Sequence, residues 1–359
     1  VSLKVIAWPA GGVNPYTNLL YTQLRALGAE VVDFSPARVL RTSRAIWHLH
    51  WPERMLNRRS STAAALRAAA LLALAFLARL RRTKLVWTVH NLSSHEYNHP
   101  WVERWFWPNF IRQLSGFISL SAAGKDLVIQ RHPGLRRVPA FVIPHGHYRG
   151  AYPDTISQAE ARAKLRLPLD SRIAAFVGHI RPYKNVPHLI QIFREIADPR
   201  VRLLLAGEPH EPGEGKELLK TAGNDTRVLL VVELIRDDEL QVYLRAADLV
   251  VLPFSDILNS GSALLALSFD RPILVPRIGA VVDLERQLGP QWVRAYAGVL
   301  TADHLARTLE DSHERPLGRC EGIDRFGWDL LGRETWAAFH VLLHERTGRA
   351  ATSRERISA

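Results

Sequence analysis

Two α/β domains, each a parallel β-sheet covered by helices, are what this sequence predicts, and three observations carry the prediction. The chain has 359 residues, more than one hydrophobic core ordinarily supports. Short apolar runs rich in β-branched and aromatic residues alternate with helix-period segments, the pattern of strand–helix–strand units. One polar stretch without strand signal, "HYRGAYPDTISQAEARAKLRLPLDSR" from residue 147 onward, divides those runs into two sets. The expected organisation is therefore a first domain over 1–150, a linker over 151–170 and a second domain over 171–328.

In the first set, strands are expected at "LKVIAW" (3–8), "AEVVDF" (29–34), "AIWHLHW" (45–51), "KLVWTVH" (84–90), "GFISLS" (116–121) and "AFVIPHG" (140–146). In the second, "IAAFVGHI" (173–180), "VRLLLAG" (201–207), "RVLLVVEL" (227–234), "LVVLPF" (249–254) and "PILVP" (272–276) repeat the design. Each set makes a Rossmann-like sheet. Ligands of such sheets bind at the carboxyl ends of the strands, so the residues just after each run hold the chemistry.

Charge separates the halves. The net charge is +12, yet residues 1–150 hold 20 Lys/Arg against 6 Asp/Glu, and the remainder is close to balanced. Between Glu53 and Glu96 there is no acidic residue, while Arg54, Arg58, Arg59, Arg67, Arg79, Arg81, Arg82 and Lys84 crowd the first part of that stretch. Such a surface attracts nucleic acid, an anionic bilayer or a phosphorylated acceptor by the same long-range field, or is a solvated face. A single cysteine, Cys320, leaves no internal disulfide and no thiolate metal set, which fits a reducing compartment. "VSLKVIAWPAGG" reads as a strand and a turn, so no secretory leader is expected.

The helix expected over "TAAALRAAALLALAFLARL" (62–80) has an uninterrupted apolar core only from Ala68 to Ala78, short of the ~20 residues of a spanning helix. It packs on the sheet, lies at a bilayer surface with Arg67, Arg79, Arg81 and Arg82 near headgroups, or does both with different faces. Trp101 and Trp105, four apart in "HPWVERWFWPNF", share a helix face suited to a core contact or a lipid-level anchor.

Three loops carry chemistry. "WPAGGVNPY" follows the first strand: Gly11 and Gly12 let backbone approach a phosphate, the next helix points its amides at it, and Asn14 and Tyr16 are candidate acceptor contacts. "GHIRPYKNV" offers Gly178, His179, Arg181 and Lys184, able to neutralise a diphosphate leaving group. Asn259, Ser260, Gly261 and Ser262 precede an apolar helix; one of them suffices as a cap, and together they form an amide cradle for phosphate. The histidines lack the spacing of a helical metal site beside a third ligand, so neither metal nor cofactor is expected.

These loops together resemble the GT-B glycosyltransferases, and more closely the xanthan-type β-mannosyltransferases that use GDP-mannose and a polyprenyl-diphosphate-linked saccharide. The matching phrases are "HLHWPE" (48–53), "HNLSSHE" (90–96), "HGHYR" (145–149), "IRPYK" (180–184) and "NSGSALLALSFDRPIL" (259–274). The resemblance implies two Rossmann-like domains facing a cleft, a nucleotide-sugar donor on 171–328, an acceptor on 1–150, a C-terminal helix within 329–347 crossing back to the first domain, and a tail over 348–359. It also implies a cytoplasmic protein peripheral to the inner face of the membrane. Two departures bear on mechanism. The two glutamates of the broad retaining group fall near Ile257 and on Leu265, and the phosphate-loop arginine falls on His179. Inversion is the expected outcome.

Inverting transfer needs a base on the acceptor hydroxyl. Glu53 is the first candidate and His90 the second, with Glu96 also near a strand end and His50 expected to bond the sugar ring. A sugar-nucleotide epimerase would share the phosphate clamp but needs no basic, Trp-rich acceptor platform. A natural-product transferase acting on a small aglycone needs no anionic membrane. Nucleic acid is suggested by charge alone and is not expected as a partner.

Overall fold

The computed structural model describes residues 3–12, 14–92, 99–211, 213–315 and 318–344. The chain forms two compact units, one of Val1–Pro144 with Trp328–Ala359 and one of His145–Gly327. The division falls at 144/145 rather than at 150. Residues 151–170 are not a separate linker: Arg162 is buried and ion-paired with Asp248 at 2.8 Å, and Thr155 N donates to Gln241, both inside the second unit.

The first unit runs β1 (Lys4–Trp8), α1 (Pro15–Ala26), β2 (Glu30–Asp33), α2 (Pro36–Arg41), β3 (Ile46–Leu49), α3 (Ser61–Leu80), β4 (Lys84–Val89), α4 (Pro100–Ile111), β5 (Gly116–Ser119), α5 (Ala122–Arg131) and β6 (Ala140–Val142). Its strands pair in parallel in the order β2-β1-β3-β4-β5-β6. Chain order reverses between β1 and β3, and the crevice at such a reversal is where an open parallel sheet takes its ligand.

The second unit runs α6 (Gln158–Lys164), β7 (Arg172–Val177), α7 (Val186–Arg194), β8 (Val201–Ala206), α8 (Glu214–Ala222), β9 (Val228–Val231), α9 (Leu240–Ala246), β10 (Leu249–Val251), α10 (Gly261–Ser268), β11 (Ile273–Pro276), α11 (Val281–Leu288), β12 (Val293–Tyr296) and α12 (Ala302–Glu314). All its strands are parallel, in the order β12-β11-β10-β7-β8-β9, with the reversal between β7 and β10. All eleven expected strands are present with trimmed ends. The sequence reading missed β12, a four-residue edge strand whose Arg294 interrupts its short apolar signal.

The last helix, α13 (Trp328–His344), belongs to the first unit, where Trp328, Leu331, Ala338, Phe339 and Leu342 join the core formed by β1 and α1. Expected positions 345–347 of that helix and the 348–359 tail lie outside the described residues. Burial of those five side chains, at roughly 1.5–3 kcal/mol for each large aliphatic or aromatic one, ties the chain's end to its beginning.

Candidate active site

Most of the expected site residues lie at the carboxyl ends of strands near the two sheet reversals, one group in each unit. In the second unit, β7 ends at Gly178, whose φ of +128° favours a residue without a Cβ. The chain then turns through Pro182–Lys184, and Asn185 takes a left-handed conformation to start α7. Tyr183 O accepts from Ser255 N at 2.8 Å, which holds this turn against the loop after β10. Lys184 is thereby drawn inward and is only 7 % exposed. Its Nζ lies over the rings of Phe176 and Phe254 at 5.6 and 6.0 Å, and no carboxylate pairs with it among the described residues. Burial, helped by nearby Arg181, lowers its pKa to about 8.

Facing Lys184 is the start of α10. Ser260 is the N-cap, its Oγ accepting from Ala263 N at 3.0 Å, so the capping reading of this turn holds for that hydroxyl. Ser262 and Lys184 both come close to Gly178: a Cβ there would lie 3.5 Å from Ser262 Oγ and 3.6 Å from Lys184 Nζ. Gly261 is a close-approach position, where a Cβ would meet Tyr148 Oη at 3.1 Å and lie 3.8 Å from His145 Nε2. Leu265, one turn into α10, is half-buried, and Ile257 is buried. His179 points elsewhere: it is largely exposed, 3.6 Å from Glu208, with its pKa lowered first by burial and then by Lys184 and Arg181.

In the first unit the cluster is built on the ends of β1, β3 and β4. Alternation along β3 puts His48 and His50 on one face, both fully buried. Tyr21 from α1 hydrogen-bonds His48 Nδ1 at 2.8 Å and His50 Nε2 at 2.7 Å. His48 Nε2 meets Thr88 Oγ1 at 2.7 Å, and His50 Nδ1 meets His90 Nε2 at 3.0 Å. Burial lowers the His48 pKa to about 3 and takes His50 well below its ordinary value, so both rings are neutral. His90 stacks on Trp51 at 4.5 Å and receives the edge of Tyr16 at 4.8 Å.

Glu53 lies in the turn after β3 and is 6 % exposed. Its Oε1 accepts from Asn91 Nδ2 at 3.1 Å, and burial raises its pKa to about 7. Gly12, with φ +115°, offers its carbonyl to Asn18 Nδ2 at 2.7 Å, next to Gly11. Asn14 caps α1 by accepting from Tyr16 N at 2.9 Å, and the Tyr16 side chain is buried. Glu96 lies outside the described residues.

Sequence reading did not single out Tyr21, His48, Thr88, Asn91, His145 or Tyr148. The alternation in "HLH" was the available signal for His48. No local pattern announces that Tyr21, on a helix 27 residues earlier, bridges both rings.

Residues 157–287 match the family model of glycosyl transferases, group 1. A GDP-mannose:glycolipid 4-beta-D-mannosyltransferase of Xanthomonas campestris pv. campestris is 31 % identical over 326 residues, spanning 90 % of this chain and 87 % of that one. A D-inositol 3-phosphate glycosyltransferase of Corynebacterium efficiens is 29 % identical over 208 residues, 54 % of this chain and 46 % of the relative. Among solved structures, HepE of Anabaena in complex with UDP and glucose superposes with a TM-score of 0.69 at 16 % identity, covering 95 % of this chain and all of that one. Sucrose-phosphate synthase of Thermosynechococcus elongatus gives 0.67 at 18 %, over 95 % and 99 % of the two chains. With two parallel α/β sheets of this order and that identity over nine-tenths of its length, the chain belongs to the GT-B glycosyltransferases of group 1, in the family of the GDP-mannose:glycolipid 4-beta-D-mannosyltransferases.

Proposed function

We propose that this glycosyltransferase moves mannose from GDP-mannose to a lipid-linked saccharide, with inversion at the anomeric carbon. The observation that carries the donor half is Lys184, a buried ammonium without a carboxylate partner among the described residues, which with Ser262 at the start of α10 closes around Gly178 at the reversal of the second sheet. A diphosphate supplies the missing negative charge. Arg181 adds to the positive field, and Gly178 and Gly261 let the phosphates approach backbone, with Asn259 just before the α10 cap; in the first unit Gly11 and Gly12 are the corresponding glycine turn after β1.

In the proposed reaction the Glu53 carboxylate takes the proton of the acceptor hydroxyl. That oxygen bonds to the anomeric carbon as the bond to the β-phosphate oxygen breaks, and the released electron pair stays on the nucleoside diphosphate held by Lys184 and Ser262. A 4-beta linkage, named for the Xanthomonas relative, requires inversion of an α-linked donor. A thermal-shift panel of GDP, UDP, TDP and their sugars tests the donor, because ligand binding to the native state raises its melting temperature. GDP and GDP-mannose should give the largest upward shift; a larger response to UDP or TDP would overturn GDP-mannose.

The acceptor half rests on the surface of the first unit. One stripe of α3 stays exposed over its length, Leu66, Ala69, Ala70, Ala73, Phe76, Leu77 and Leu80, while Ala64, Ala68, Leu71, Leu72, Ala75 and Ala78 pack inward. By length and composition this 20-residue helix is apolar enough to cross a membrane, yet its other face is committed to the core. Trp101 and Trp105 on α4, which packs beside it, are also exposed, and Arg67, Arg79, Arg81 and Arg82 rim the stripe. An apolar stripe with aromatic neighbours and a basic rim suits the headgroup region of an anionic bilayer. Changing Arg79, Arg81 and Arg82 to Gln should cost about 1 kcal/mol each at the surface, roughly 100-fold together in affinity for phosphatidylglycerol vesicles at low salt. Equal sedimentation of wild type and variant would count against the docking face.

A further inference from the structure

Asp270, just past the end of α10, stands against two local preferences. Its φ of +54° is left-handed, at the position after the helix cap where glycine is favoured. Arg271 N donates to Ala266 O at 3.0 Å and Asp270 N to Leu267 O at 3.1 Å, the paired bonds that close such a helix end. A carboxylate there also faces the negative end of the helix dipole. A residue that breaks both rules is held in place by what its side chain does elsewhere in the fold.

That side chain brings together the segments by which the chain enters and leaves the second unit, His145–Gly327. Asp270 Oδ1 accepts from Arg149 Nη2 at 2.5 Å and from Cys320 N at 2.9 Å, and Arg149 Nη2 also donates to Cys320 O at 3.1 Å. One residue before Arg149, Tyr148 N donates at 2.9 Å to the Oγ of Ser268, the last residue of α10. The Tyr148 hydroxyl lies at the other end of the same helix, 3.1 Å from where a Cβ at Gly261 would stand. Buried Tyr148 therefore runs the length of α10, from the clasp at Asp270 to the turn proposed to receive the diphosphate.

We infer that Asp270 and Arg149 are positioning residues of the donor site: their clasp fixes the backbone of Tyr148 on α10 and so sets where its hydroxyl stands against Gly261. A glycine at position 270 would suit the helix end better, but it would release Arg149 and take from the Cys320 amide its acceptor. The clasp follows from the geometry alone; its effect on the donor rests on the function proposed above.

Hydrogen exchange and donor binding, both on the full chain, test the two halves separately. Without ligand, the His147 and Tyr148 amides, which donate to Phe326 O and Ser268 Oγ, should exchange about tenfold faster in Asp270→Gly and Arg149→Gln, with β7 unchanged. Both variants should bind GDP and GDP-mannose several-fold more weakly and show a raised donor KM, with the acceptor KM unchanged. Asp270→Asn, which keeps an acceptor for Cys320 N but not the charge, should fall between wild type and Asp270→Gly. The double variant Arg149→Gln/Asp270→Gly should bind GDP no more weakly than the weaker single variant, because the pair acts as one unit. Exchange unmoved at His147 and Tyr148, or accelerated equally in β7, would overturn the clasp. Faster local exchange with unchanged GDP affinity would overturn its role at the donor, as would losses that multiply in the double variant. Wild type that fails to bind GDP would remove the donor reading and this role with it, while the exchange result would still decide the clasp.

Discussion

Lys184→Ala should lower transfer by about 10²–10³-fold, the loss typical of removing one group that meets developing negative charge in a dry site. The same side chain makes donor binding pH-dependent with a defined sign. Burial holds the free ammonium at about pKa 8, and a bound diphosphate stabilises the charged form and raises that value. Affinity for GDP should therefore be level below pH 8 and fall by up to tenfold per pH unit above it, until the pKa of the complex is reached. Calorimetry from pH 7 to 9.5 checks this, and a flat profile would remove Lys184 from the phosphate site. The lysine also carries a stability cost. Its folded pKa lies below the ordinary 10.5, so below pH 8 the charge is present in both states and the desolvation cost is undiminished; stability rises as pH climbs from 8 towards 10.5. Lys184→Met should accordingly raise the melting temperature near pH 7, by as much as about 3 kcal/mol in stability, while losing GDP binding. A lower melting temperature would mean that this lysine is structural.

Glu53→Gln should reduce kcat by about 10²–10⁴-fold, the range for loss of a general base, while leaving GDP binding unchanged. Because burial raises the carboxyl to about pKa 7, the wild-type rate should climb through pH 7 as the carboxylate forms, and the variant should lose that limb. Stability moves the opposite way. The folded pKa is above the ordinary 4.5, so stability is highest at low pH and is lost between about 4.5 and 7, where the carboxyl of the unfolded chain ionises while the buried one stays protonated. Glutamine keeps an acceptor for Asn91 without the charge, so the variant should be more stable than wild type at pH 8 and equal to it below pH 4.5. Retention of the pH 7 limb in Glu53→Gln would assign that titration, and the base, to another group.

Much of this molecule is written in local pattern. The central strands announced themselves because a buried parallel strand is a continuous apolar run; the less buried β2, β6 and β9 still carry short β-branched or aromatic runs, and β12 escaped because Arg294 breaks a four-residue run at the sheet edge. The loops "GHIRPYK" and "NSGS" could be placed beforehand, since open sheets bind ligands at the carboxyl ends of their strands. The 151–170 stretch was misjudged: its polarity suggested a linker, but Arg162 is polar and buried, matched by Asp248 from a segment 86 residues away.

By itself the sequence determined the two sheets, the basic first half, and the positions where glycine, lysine and serine meet a strand end. Tertiary structure decided the rest. Which of those residues are buried, and hence which pKa values move, depends on packing partners distant in sequence: Lys184 is a buried cation with no carboxylate partner among the described residues, and the ring of Phe254, 70 positions on, lies under its ammonium. Likewise Tyr21, His48 and Thr88 are ordinary residues on three separate elements, and only the parallel register of β3 on β4, with α1 laid across them, joins them into one buried hydrogen-bonded cluster.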